Sequence, residues 1–213
     1  MICVKCNNPL NEYSARCDHG LDDRTVSSKE AAAKPRRIVR RVVICAVVVF
    51  IAIGGFYFSL IATSENLTAD QYAEIDRSID LIGKAGFTAE AFYLGHLTAF
   101  RGSDNWLNSS VAKENAYAAT NYPFAIITVY SDFFSYPMDD VERAAILLHE
   151  AKHVEGKDEK EAYKFVWKNK KALGWTADKY SRSIVFREIR NQTIEYSPEL
   201  FVCDFNAFRD CSE

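Results

Sequence analysis

The chain has 213 residues, enough for one or two domains, with an ordinary globular composition of 48% hydrophobic and 26% charged residues. Its 26 Lys and Arg against 29 Asp and Glu leave a net charge of −3, which speaks against a nucleic-acid partner. That average hides segregation, because about forty N-terminal residues hold clustered cysteines and arginines and the next twenty or so are almost wholly apolar.

At the N-terminus, Cys3 and Cys6 form C-x-x-C, and Cys17 with His19 forms C-x-H after a short polar loop. Thiolates and an imidazole are ligands that tetrahedral zinc takes, and a segment of about twenty residues buries too little to fold on apolar contacts alone. Residues 1–21 resemble the small zinc-ribbon modules at the N-termini of many bacterial membrane proteins, with C-x-H-G standing where those carry C-x-x-C-G. The resemblance implies a structural zinc on Cys3, Cys6, Cys17 and His19. Residues 22–41 follow as a polar, then basic, linker with little that could pack.

Residues 42–62, VVICAVVVFIAIGGFYFSLIA, carry no charge and are long enough as a helix to cross the ~30 Å hydrocarbon layer. About forty residues precede them, which distinguishes the run from a cleaved signal peptide and predicts a permanent transmembrane helix. Cys45 within it behaves as a small apolar residue. Arg36, Arg37, Arg40 and Arg41 crowd one flank and Ser64, Glu65 and Asp70 follow the other, so the positive-inside rule puts the N-terminus in the cytoplasm. Residues 63–213 then form an extracytoplasmic domain.

That domain opens with a predicted helix over 67–86, where Tyr72, Ile75, Ile79 and Ile82 recur at helical spacing before Gly83 or Gly86 stops it. A second helical stretch covers 88–100, and a looser segment, 101–123, leads to FAIITVYSDFF at 124–134, whose β-branched and aromatic residues predict a strand. The next helix has Asp139 as its cap, Glu142 as capping-box partner and Gly156 for the left-handed C-terminal position. Val141, Ala144, Ala145, Leu148 and Lys152 trace one stripe of it, with Leu147, Ala151 and Val154 beside them.

On this helix His149, Glu150 and His153 spell H-E-x-x-H. Two histidines four residues apart stack on adjacent turns and can aim ring nitrogens at one ion, while Glu150 sits about 100° round the axis. From residue 124 to 175 the chain resembles the zincin metallopeptidases, named for this motif. The resemblance implies that His149 and His153 bind a catalytic zinc, that Glu150 is the general base, and that the strand before the helix is a sheet edge along which extended substrate lies. The spacing HxxGxxE ends at Glu159, the favoured third ligand. Glu161 is the rival, although Asp158 followed by Glu161 also looks like the capping box of the next helix, which runs toward Gly174. Glu155 follows on the same helix and points away from the histidine stripe. The methionine turn of the glycine-turn branch is missing. His96 reads as a structural or surface histidine, and Tyr163 and Tyr117 are candidates to stabilise an oxyanion.

Near the C-terminus, Cys203 and Cys211 are the only cysteines expected outside the cytoplasm, where a disulfide can persist. The whole is then an α+β protein: a mostly helical, small zincin-like domain with a short sheet, one transmembrane helix and a zinc-ribbon-like tip. Its expected function is that of a membrane-anchored zinc peptidase acting on peptide or protein outside the cytoplasm. The alternative is a non-catalytic sensor or adaptor whose zinc ribbon meets a cytoplasmic protein partner.

Overall fold

The computed structural model describes residues 28–109 and 117–212, so Cys3, Cys6, Cys17 and His19 lie outside the described residues. The class is α+β, helices around one three-stranded sheet. Helix α1, Ser28–Ala62, starts within the expected linker and runs through the whole apolar stretch. Its segment Arg36–Ala62 is long and apolar enough to cross a membrane, with a mean hydropathy of 2.6 and its most apolar window wholly unburied. The chain falls into two compact units, Met1–Ile53, described only as helix, and Gly54–Glu213.

The second unit begins with the last two turns of α1, where Leu60 is fully buried. The helix's final carbonyls need partners, and Arg101 supplies them. Its guanidinium donates to the Ile61 carbonyl at 3.0 Å and to the Ser64 hydroxyl at 2.9 Å, and it also reaches the Ser64 carbonyl and the Asn66 side chain. Helix α2, Ala69–Lys84, is fixed by a complete capping box between Thr68 and Gln71, and Gly86 takes a φ of 98° just beyond its end. Ile75 and Ile82 are buried as the periodicity predicts, but Tyr72 stays half-exposed with its hydroxyl on the Phe100 carbonyl.

The second helical stretch is shorter than its sequence suggests. Helix α3, Thr88–Phe92, passes into a π-helical turn, Tyr93–Leu97, and the chain then becomes strand β1, Ala99–Arg101. Long-range pairing overrides the local preference, because β1 lies parallel to β3, Ile126–Val129, with Ala99 opposite Ile126. Strand β2, Ala118–Asn121, runs antiparallel along the other side of β3. The order β1-β3-β2 makes β3 the centre and not an edge, and all four of its residues are buried. Nor does it reach residue 134, for Ser131–Ser135 forms a short helix, α4.

Helix α5, Asp140–Val154, is capped by the Asp139 carboxylate, which accepts from the amides of Val141 at 3.0 Å and Glu142 at 3.3 Å. Glu142 does not close a capping box. Its buried carboxylate turns to the Met138 amide, 2.8 Å away, and to the Trp175 indole at 3.3 Å. Burial runs unbroken from Ala144 to Lys152, so the helix is enclosed on every side and not along one stripe. Helix α2, strand β2 and helix α6, Glu159–Asn169, pack around it.

After α6 come α7, Ala177–Tyr180, and α8, Ile184–Tyr196, and the rings of Trp167, Trp175, Phe186 and Phe201 meet at 5.1–6.0 Å. Cys203 and Cys211 are bridged. Beside the bridge, fully buried Lys170 holds Asp210 at 2.9 Å, and Ser212 donates to the same carboxylate through its amide and hydroxyl. Burial would raise the Asp210 carboxyl, but Lys170 and Ser212 outweigh it and hold it below its ordinary range. This anchor therefore contributes above the usual carboxylate range and is lost as pH falls through the depressed value. Lys170→Ala leaves a buried carboxylate without its countercharge, held by Ser212 alone, and should destabilise the domain by about 3 kcal/mol in chemical denaturation.

Candidate metal centre

Two histidines on one helix converge only if their turns are held, and the end of α5 does this with backbone alone. The Gly156 amide donates to the His153 carbonyl and the Lys157 amide to the Lys152 carbonyl, both at 2.9 Å, the paired bonds of a Schellman stop. Gly156 takes a φ of 81°, and a side chain there would meet the Tyr122 ring at 3.2 Å. The reversal does two things. It carries the Lys157 carbonyl to 2.9 Å from His153 Nδ1, and it starts α6 so that Glu159, its first residue, faces back toward the histidines.

A carbonyl oxygen can only accept, so His153 Nδ1 carries a hydrogen and Nε2 is the atom left to bind. That Nε2 lies 2.9 Å from His149 Nε2. Glu159 Oε2 stands 3.3 Å from His149 Nε2 and 3.4 Å from His153 Nε2. His149, His153 and Glu159 are the one group among the described residues whose ligand atoms could hold a metal ion together. Atoms this close together could all be reached by one ion at the ~2.0–2.2 Å of zinc bonds to nitrogen and oxygen, so the three residues fit a zinc that they would hold together.

Charge agrees with shape. Burial alone would lower the His153 imidazole, but the hydrogen bond to Glu159, the nearby Glu150 carboxylate and the Lys157 carbonyl raise it to about 9. Hydrogen bonds to His149 and His153 hold the Glu159 carboxyl far below the usual range. The cluster thus concentrates positive charge between two imidazoles and an anion, a place a proton and a divalent cation compete for. His149 Nδ1 is buried without a hydrogen-bond partner.

The other candidates take distinct places. Glu150 is 5% exposed and accepts from the Thr120 hydroxyl on β2 at 2.7 Å. Glu161 is not among the converging atoms, since its amide donates to the Asp158 cap and its carboxylate pairs with Lys157. Glu155 pairs with Lys152 at 3.0 Å. His96 is exposed against Phe92, away from the site. Tyr163 sets its ring 4.2 Å from His149 and parallel to Tyr196, while the Tyr117 hydroxyl donates to Glu188. Burial pushes both hydroxyls up, so both stay protonated donors. Sequence reasoning missed Thr120 and Tyr122, since each meets the motif only through strand pairing and the turn that follows.

His149, Glu150, His153, Glu159, Tyr163 and Tyr117 border one cleft of about 900 Å³, which is also lined by Ala118 to Thr120 of β2 and by Glu188 and Tyr196 of α8. No family model, curated protein or solved structure matches the chain. Gly156→Ala should cost on the order of 1–2 kcal/mol for its left-handed backbone and weaken metal binding by displacing Glu159. Lys157→Ala, which keeps the carbonyl, should leave metal affinity near wild type in a competitive chelator titration.

Proposed function

We propose that the chain is a membrane-anchored zinc peptidase of the zincin type, with His149, His153 and Glu159 holding the metal and Glu150 as general base. The observation that carries this reading is the convergence of two Nε2 atoms and a carboxylate oxygen beside a buried glutamate, on one wall of an open cleft. Bound zinc would supply a Lewis acid that polarises the scissile carbonyl and acidifies a water. Glu150, its carboxylate oriented by the Thr120 hydroxyl, would take the proton from the attacking water and pass it to the leaving amine. The protonated Tyr163 hydroxyl is a donor for the developing oxyanion.

Peptide is favoured as substrate because β2, which lines the cleft with the histidines, is an outer strand of the sheet among the described residues, and its Ala118 and Ala119 carry small side chains. An extended chain can add to such an edge through main-chain hydrogen bonds. The substrate edge is therefore β2, and not the strand directly before the motif helix. For location, the arginine flank of α1 supports a cytoplasmic N-terminus, and a bridged Cys203–Cys211 suits an oxidising exterior for the cleft.

Zinc content per chain and hydrolysis of a quenched peptide library test the division of roles on the full chain. Glu150→Gln should keep the wild-type zinc content while hydrolysis falls by ~10²-fold or more. His149→Ala should remove one zinc per chain, and Glu159→Ala should weaken zinc more than Glu161→Ala. If His149→Ala removes none, the motif binds no metal and the non-catalytic sensor or adaptor stands in its place. Thr120→Val, by contrast, should lower turnover with zinc content unchanged.

A further inference from the structure

The described segment 102–109 is tied to the end of α1 residue by residue. The Gly102 amide donates to the Glu65 carbonyl, the Glu65 amide to the Ser103 hydroxyl, and the Trp106 amide to the Thr63 hydroxyl. The Asn105 side chain, fully buried, accepts from the amides of Leu107 and Asn108 and shapes the tip of the loop. Trp106 then lies along the helix, its indole donating to the Ser59 hydroxyl at 3.2 Å and its ring edge-on to Phe56 at 5.5 Å. From the β2–β3 turn, Phe124 meets the same Phe56 ring at 5.1 Å. A recess lined by Tyr57, Ile61, Ile79 and Leu94 flanks the same turns on another side.

These contacts fix a depth. Ser59 and Phe56 precede the end of the apolar stretch at Ala62 by about 5 and 9 Å of helical rise. Any bilayer that takes α1 as a span therefore meets Trp106, Leu107 and Phe124 within its interfacial zone, where tryptophan is favoured. Trp106 is 48% and Leu107 41% exposed, large apolar side chains turned outward, whereas Trp167 and Trp175 are fully buried in the core.

We propose that the loop at 104–109, with Phe124, is seated in the lipid interface on the C-terminal side of α1. The inference rests on the reading of α1 as a membrane span and needs no metal. It places the cleft beside the bilayer, because Tyr122, two residues from Phe124, borders that cleft.

The test uses the full chain reconstituted in phosphatidylcholine vesicles, with a bromine-bearing lipid to quench tryptophan. Lipid brominated near the headgroup should quench a share of the emission equal to the share that Trp106→Phe removes. Lipid brominated near the chain end should quench less. Leu107→Trp in the Trp106→Phe background should restore the quenching. A chain that resists alkaline carbonate extraction yet keeps its full emission would overturn the seat alone. Release of the chain by carbonate would overturn the span and the seat with it.

Discussion

The left-handed turn at Gly156 is the joint on which the site hangs. A helix continued past His153 would carry the next carboxylate along its axis and away from the imidazoles. A reversal of four residues, 155–158, brings the first residue of α6 back over them instead. The same backbone fixes the ring of His153, since the Lys157 carbonyl reaches Nδ1 only because its amide has closed the helix. Conformation and packing both demand glycine here, because φ is positive and the Tyr122 ring occupies the volume a side chain would need. Backbone groups thus do the orienting that metal sites commonly assign to a second layer of side chains.

Helix α5 can hold such a site because it is enclosed. Burial on all sides demands that each polar group along it find a partner, and most do so at long range. Glu142 finds Trp175, Glu150 finds Thr120, and Lys152 finds Glu90 while lying 3.8 Å over the Phe165 ring. Each pairing ties the helix to a different neighbour, which fixes its rotation and aims the histidines at the cleft. Unpaired, any of these groups would cost more than a neutral surface contact could return.

What the sequence made legible follows from how far apart the interacting residues are. Caps are local, and Asp139 and Asp158 both stand where the chain says a helix starts. Two histidines at four-residue spacing, and a glutamate three residues beyond a helix-stopping glycine, are equally short-range patterns. Strands of three and four residues leave no such trace. AFR and AATN have no period to read, and they are strands only because Ile126 to Val129 lies between them. The aromatic run after Val129 suits a strand as well as a helix, and α4 shows which the packing chose. Thr120 was invisible for the same reason: thirty residues separate it from the carboxylate it orients.

Arg101 belongs to that long-range class, and its placement has a mechanical consequence. One planar guanidinium joins the last turn of a long helix to a strand that is hydrogen-bonded to the sheet behind the cleft. Three acceptors from the helix end, the Ile61 carbonyl and the Ser64 hydroxyl and carbonyl, converge on that one side chain, so shortening it to alanine would part the strand from the helix end at a single stroke and leave both carbonyls to find water.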